Sequence, residues 1–139
     1  MKPSFFPRVA GCALAASLLL SGSVHAAVRG WLQWRGPDQT GTTRETGLPE
    51  KVDAKGALWT APLPGQSAPV IADGKLYING YLGEGPDLQE VVACFDAETG
   101  KMLWDHREND FLSDIIYLRY SNSSPTVDPE TGNVYVQGS

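Results

Sequence analysis

Cysteine is nearly absent from this 139-residue chain, which has only Cys12 and Cys94. Cys12 falls in an N-terminal stretch read below as a signal. That leaves Cys94 alone in the mature protein and excludes an intrachain disulfide. Cys94 lies inside an apolar run, so its surroundings favour a small buried hydrophobe over a reactive thiol. Histidine is equally scarce: His25 belongs to the same N-terminal stretch and His106 stands alone, which excludes a histidine-built metal cluster. Lys and Arg number 11 against 16 Asp and Glu and form no run, which argues against nucleic acid and anionic membrane surfaces as partners. There is no G-x-S-x-G nucleophile elbow. Gly83-Glu84-Gly85-Pro86 is too acidic and too short to cradle a phosphate. The longest apolar run, Val9 to Leu20, falls short of the roughly 20 residues that span a bilayer.

That run instead reads as the core of a secretory signal over residues 1–26. Lys2 and Arg8 charge its start, Val9 to Leu20 is apolar, and Val24-His25-Ala26 is an acceptable small-residue cleavage site. Val9-Ala10-Gly11-Cys12 looks like a lipoprotein box, but it precedes the apolar run and follows Arg8 directly. Export to the periplasm or the outside is the expectation, with no membrane span after signal removal. Losing Lys2 and Arg8 leaves nine basic residues against 16 acidic ones, a mature charge near −7.

What the sequence does hold is turn chemistry between short apolar runs. Fifteen Gly and 10 Pro suit a β protein rich in turns. Val91 to Phe95 is too short for a typical helix and rich in β-branched residues, so it reads as a strand buried on both faces. Asp96-Ala97-Glu98-Thr99-Gly100 is a tight turn, with an Asp to accept backbone N–H groups and a Gly for φ > 0. Lys101 to Trp104 returns as the next strand.

Pieces of this pattern recur. Leu103-Trp104 echoes Leu58-Trp59. Ser67-Ala68-Pro69 to Gly80 echoes Ser123-Ser124-Pro125 to Gly138, each with a Ser-x-Pro opening, a Gly turn and an apolar-Tyr-apolar return. A β-rich period in the forties to fifties is what propeller blades produce.

Cys94, Asp96, Thr99, Gly100 and Trp104 follow the spacing A-x-D-x-x-T-G-x-x-x-W, with Cys94 at the Ala position. In this the chain resembles the pyrroloquinoline-quinone-like (PQQ-like) β-propeller repeat family, whose motif Trp docks between neighbouring blades. Trp31-Leu32-Gln33-Trp34-Arg35-Gly36-Pro37 and Thr46-Gly47-Leu48-Pro49 are similar to the start of its secreted bacterial members. The resemblance covers about residues 30–139. It implies an all-β propeller of four-stranded blades, of which this chain holds one full blade and parts of two others, and so an N-terminal piece of a longer chain.

The expected organisation is an extended segment over residues 27–56 anchored by Trp31 and Trp34, then a closing strand at 57–63. A full blade spans 67–107, with strands near Ala68–Ala72, Lys75–Asn79, Glu90–Phe95 and Lys101–His106. An incomplete blade spans 124–139, with strands near Pro125–Val127 and Asn133–Gln137.

Function is less legible than fold. Asp96 to Gly100 and Asp128-Pro129-Glu130-Thr131-Gly132 faintly resemble calcium loops but lack the ligand run of one, and hairpin turns explain both. The family resemblance allows an exported binding or assembly scaffold for a protein or small polar ligand. The alternative it leaves is a dehydrogenase using PQQ with calcium, an enzyme whose catalytic residues would lie outside this chain; its members of that kind carry adjacent cysteines, absent here. Strand parity puts the tight turns (Asp73-Gly74, Asp96 to Gly100) at one end. The longer connections, Tyr81 to Gln89 and Glu108 to Asn122, fall at the other. Asp114, Tyr117, Arg119, Tyr120 and Asn122 in the second of these form the candidate ligand or partner face.

Overall fold

The computed structural model describes residues 27–110 and 122–138. This part is all-β, save two single 3-10 turns at Ala54–Gly56 and Gly85–Asp87. Its main element is a five-stranded antiparallel sheet in chain order: β1 (Gly30–Trp31), β2 (Val70–Ala72), β3 (Lys75–Leu82), β4 (Gln89–Asp96) and β5 (Met102–Asn109). A separate hairpin pairs β6 (Thr126–Val127) with β7 (Val134–Tyr135). The two sheets close into no barrel among the described residues.

Local chemistry sets the hairpins. Asp73 and Gly74 both take positive φ, 46° and 74°, as a two-residue turn matching strand twist requires. At the next hairpin, Asp96 Oδ1 accepts from the Glu98 and Thr99 N–H groups and from the Thr99 hydroxyl, at 3.2, 2.8 and 2.7 Å. Gly100, at φ 71°, donates to the Asp96 carbonyl. Asp128 builds the same turn again: Glu130 N–H and the Thr131 hydroxyl meet its carboxylate at 2.9 and 2.6 Å, and Gly132 donates to its carbonyl at φ 73°.

Both faces of the sheet are covered, so the β4 run is apolar without alternation. Val91, Ala93 and Phe95 face Trp59, Ala61 and Leu63 from the segment upstream. On the other side, Val70, Ala72, Tyr77 and Cys94 pack with Val127 and Val134 of the second hairpin and with Val28 and Leu32. A fully buried Val, Leu or Phe side chain contributes about 1.5–3 kcal/mol. These two layers therefore carry most of the fold's apolar stabilisation.

The structure refines several sequence expectations. Residues 57–63, expected as a closing strand awaiting a partner, join no ladder among the described residues; they cross β3, with Pro64 O accepting from Tyr81 N–H at 2.9 Å. Any side chain at Gly80 would meet Leu63 and Pro64 O at 2.6 Å, so a glycine is what lets this crossing approach so closely. Gly30–Trp31, expected only to lie over the sheet, pairs with Ile71 and Ala72 as its first strand. β3 runs on to Leu82 and β4 begins at Gln89, so the connection between them shrinks to residues 83–88. The register slips by one at Cys94/Phe95, leaving Leu103 as the extra residue of a bulge in β5.

Candidate functional site

Asp114, Tyr117, Arg119 and Tyr120 lie outside the described residues; of the sequence-predicted face, only Asn122 is described, and it is exposed. The parity behind that face holds in the structure. Asp110 N–H donates to Leu88 O at 2.9 Å, joining the start of the crossover to the β3–β4 connection. Ala97 N–H donates to Gly74 O at 2.9 Å, joining the two tight turns at the opposite end.

Asn122 borders a recess of about 160 Å³ shared with Glu90, Ser123, Gln137 and Gly138. Beneath it is a polar seam that sequence reasoning missed. Asn79 is fully buried in β3. Its side-chain NH₂ donates to Glu90 Oε1 at 2.8 Å and to Ser123 Oγ at 3.1 Å, and its backbone N–H reaches Ser67 Oγ. Ser123 Oγ in turn donates to Gln137 O, and Ser124 Oγ accepts from Ala68 N–H. Asn79 Oδ1 has no partner among the described residues. The two Ser-x-Pro openings are thus one joint: Ser67 and Ala68 of the first meet Ser123 and Ser124 of the second, through Asn79. In the sequence Asn79 stands between Ile78 and Gly80 with nothing to mark it as buried.

The seam opens onto a groove of about 380 Å³ between the β4–β5 face and β7. Val92, Trp104, Val134 and Val136 give it an apolar floor, with Glu90, His106 and Glu108 around the rim. His106 Nε2 and Glu108 Oε1 are 2.7 Å apart at an exposed position. Trp104 lies beside Tyr77, ring centroids 5.9 Å apart, and remains 43% exposed. The sequence-matched counterpart Trp59 is better seated. Its ring stacks on Phe95 at 5.8 Å, its Nε1 donates to Ala97 O at 3.0 Å, and it covers Gly100. Trp59→Ala is therefore expected to lower the urea midpoint more than Trp104→Ala; the reverse order would mean that Trp59 is not the anchoring ring.

Cys94 is free and buried. Burial pushes its thiol upward, and burial together with the adjacent Cys94 pushes the Tyr77 phenol up as well. The cysteine is thus a packing residue rather than a nucleophile at neutral pH. Among the described residues no three His, Cys, Asp or Glu side chains come together to hold a metal, and no helix is long and apolar enough to cross a membrane.

The two turn aspartates titrate in the opposite sense. The Thr99 hydroxyl and N–H hold the Asp96 carboxyl below its ordinary value, and the Thr131 hydroxyl and Glu130 N–H do so for Asp128. A lowered folded-state pKa adds stability above the unfolded value, about 3.9, which is lost as pH falls through the folded value. Asp96→Asn with Asp128→Asn should be less stable than wild type at pH 7, with the gap closing below about pH 4. A gap that is constant with pH would show that carboxylate charge is irrelevant to these turns.

No family model, curated protein or solved structure matches this chain.

Proposed function

We propose that this chain belongs to an exported PQQ-like β-propeller repeat protein that works as a binding or assembly scaffold in the periplasm or outside the cell. The observation that carries this reading is the seating of Trp59. Trp59, from the segment preceding the sheet, lies on the Asp96–Gly100 turn through Phe95, Gly100 and Ala97 O, while Leu58 beside it stays exposed. Leu103-Trp104 repeats that pair on the far strand of the same sheet, and the Asp-x-Glu-Thr-Gly turn is built twice. A sheet covered on both faces, with a recurring Trp and turn, is how blades stack.

The competing reading is a quinone-dependent dehydrogenase, with calcium polarising the cofactor. Among the described residues no three His, Cys, Asp or Glu side chains come together and Cys94 is enclosed in the sheet, so this reading places its calcium and quinone ligands outside them.

Photo-crosslinking from single positions in exporting cells tests the scaffold. The reading expects partner adducts from Asn122, at the crossover end, and none from Glu98, at the tight-turn end. Equal yields from both positions, or none from Asn122, would overturn it. Alcohol or sugar oxidation dependent on added PQQ and calcium would establish the enzyme instead. Intact mass tests export separately: a chain beginning at Ala27 is expected, and a diacylglyceryl-modified Cys12 would replace it with a lipoprotein.

A further inference from the structure

β5 is the outermost strand of the main sheet, and no strand pairs with its far edge among the described residues. It runs for eight residues, seven of them exposed. Such an edge is a template for strand addition, and proteins commonly protect one with charge. The charges of β5 alternate in sign instead. Asp105 and Arg107 share one face of the strand, with Arg107 Nε 2.9 Å from Asp105 Oδ2. Trp104, His106 and Glu108 share the other, opposite Cys94, Val92 and Glu90 of β4.

We propose that β5 pairs, antiparallel, with β5 of a second copy of this chain, about a two-fold axis at His106. An axis normal to the sheet keeps its faces continuous, so each residue must sit opposite one from its own face. Centring on Asp105 sets that carboxylate against its own copy, and centring on Arg107 opposes two guanidinium groups. Centring on Trp104 sets Leu103 against Asp105 and Met102 against His106, with no charge paired. Centring on His106 places Asp105 opposite Arg107 twice, with Trp104 opposite Glu108 and Leu103 opposite Asn109. This register alone makes two opposite-charge pairs with no carboxylate or guanidinium facing its like. Cross-strand pairs of this kind stabilise, and like charges directly opposite destabilise. The interface is one strand wide, so the dimer is weak and concentration-dependent.

Thiol crosslinking of the full chain tests the register. In a Cys12→Ser background the one remaining native thiol, Cys94, is buried. His106→Cys places two thiols across the axis, within disulfide reach, and gives a covalent dimer on oxidation. Glu108→Cys gives none, because four strand positions, roughly 13 Å, separate the two copies of that residue. In the second arm, sedimentation reads dimerisation of Asp105→Arg and Arg107→Asp. Each change alone weakens it about tenfold, and the two together restore it.

A wild-type chain that stays monomeric at every concentration overturns the proposal. So do equal crosslinking from both cysteine positions, no crosslinking from His106→Cys, or a double swap that fails to recover. Should a charge variant misfold, the crosslinking arm decides, since it leaves Asp105 and Arg107 in place.

Discussion

Gly100→Ala is expected to destabilise the chain by about 2–5 kcal/mol, whereas the same change at Gly132 costs about 1–2 kcal/mol. The two glycines end identical Asp-x-Glu-Thr-Gly turns and share the same backbone, φ 71° and 73°. Both substitutions therefore carry the left-handed penalty of about 1–2 kcal/mol. They differ in what lies above. A Cβ on Gly100 would stand 2.5 Å from the Trp59 ring, while one on Gly132 finds nothing nearer than Val28 at 3.6 Å. Trp59 must then leave its stack on Phe95 and its hydrogen bond to Ala97 O, losing about 1–3 kcal/mol more. Urea denaturation of both variants measures the difference directly. Adding Trp59→Ala sharpens it: once the ring is gone, Gly100→Ala should cost no more than Gly132→Ala. Equal costs in the presence of Trp59 would mean that the ring is not seated on that turn.

The second large effect is at Asn79. Asn79→Ala should cost about 2–4 kcal/mol, because it removes two donated hydrogen bonds from the interior, one of them to the Glu90 carboxylate. Asn79→Asp has nearly the same shape but replaces the donor with a second carboxylate beside Glu90. It should be the worse variant at pH 7 and recover relative to Asn79→Ala on acidification, as one of the two carboxyls takes up a proton. Chemical denaturation at pH 7 and pH 4 separates these outcomes. An Asn79→Asp variant with no added pH dependence would rule out direct contact with Glu90.

The hairpins were legible because their information is local. Asp73-Gly74 and Asp96 to Gly100 carry the φ > 0 positions and side-chain acceptors that a turn needs within a few residues. The β4 run is apolar without alternation, which correctly signalled burial on both faces. What escaped was set at a distance. Gly30–Trp31 has no strand pattern of its own; its place follows from Asp73, whose carboxylate and N–H bind the backbone of Arg29 at 3.1 and 3.0 Å. Residues 57–63, expected as a closing strand awaiting a partner, pair with no described strand, and Trp59, Ala61 and Leu63 pack face-on against β4 through contacts that no local pattern announces. The bulge at Leu103 has no Gly to announce it. The polar seam escaped because Asn79, Ser123 and Gln137 each pass for a surface residue until the second hairpin lies over the first sheet.

The N-terminal segment also sets an order of events. Arg29 binds the β2–β3 turn, and β1 pairs with β2. Val28 N–H donates to Pro129 O, and Leu32 O accepts from Val127 N–H, both at 2.8 Å. One short stretch therefore fastens the sheet to the hairpin, across about a hundred residues of sequence. During synthesis this stretch emerges about a hundred residues before half of its partners. The β3–β4–β5 meander, whose strand pairings all join chain neighbours, can form before the second hairpin is made; the strap must wait. Until Val127 to Pro129 emerges, Val28 and Leu32 have no apolar seat on the second hairpin. That waiting period is when a nascent chain of this kind most needs a chaperone.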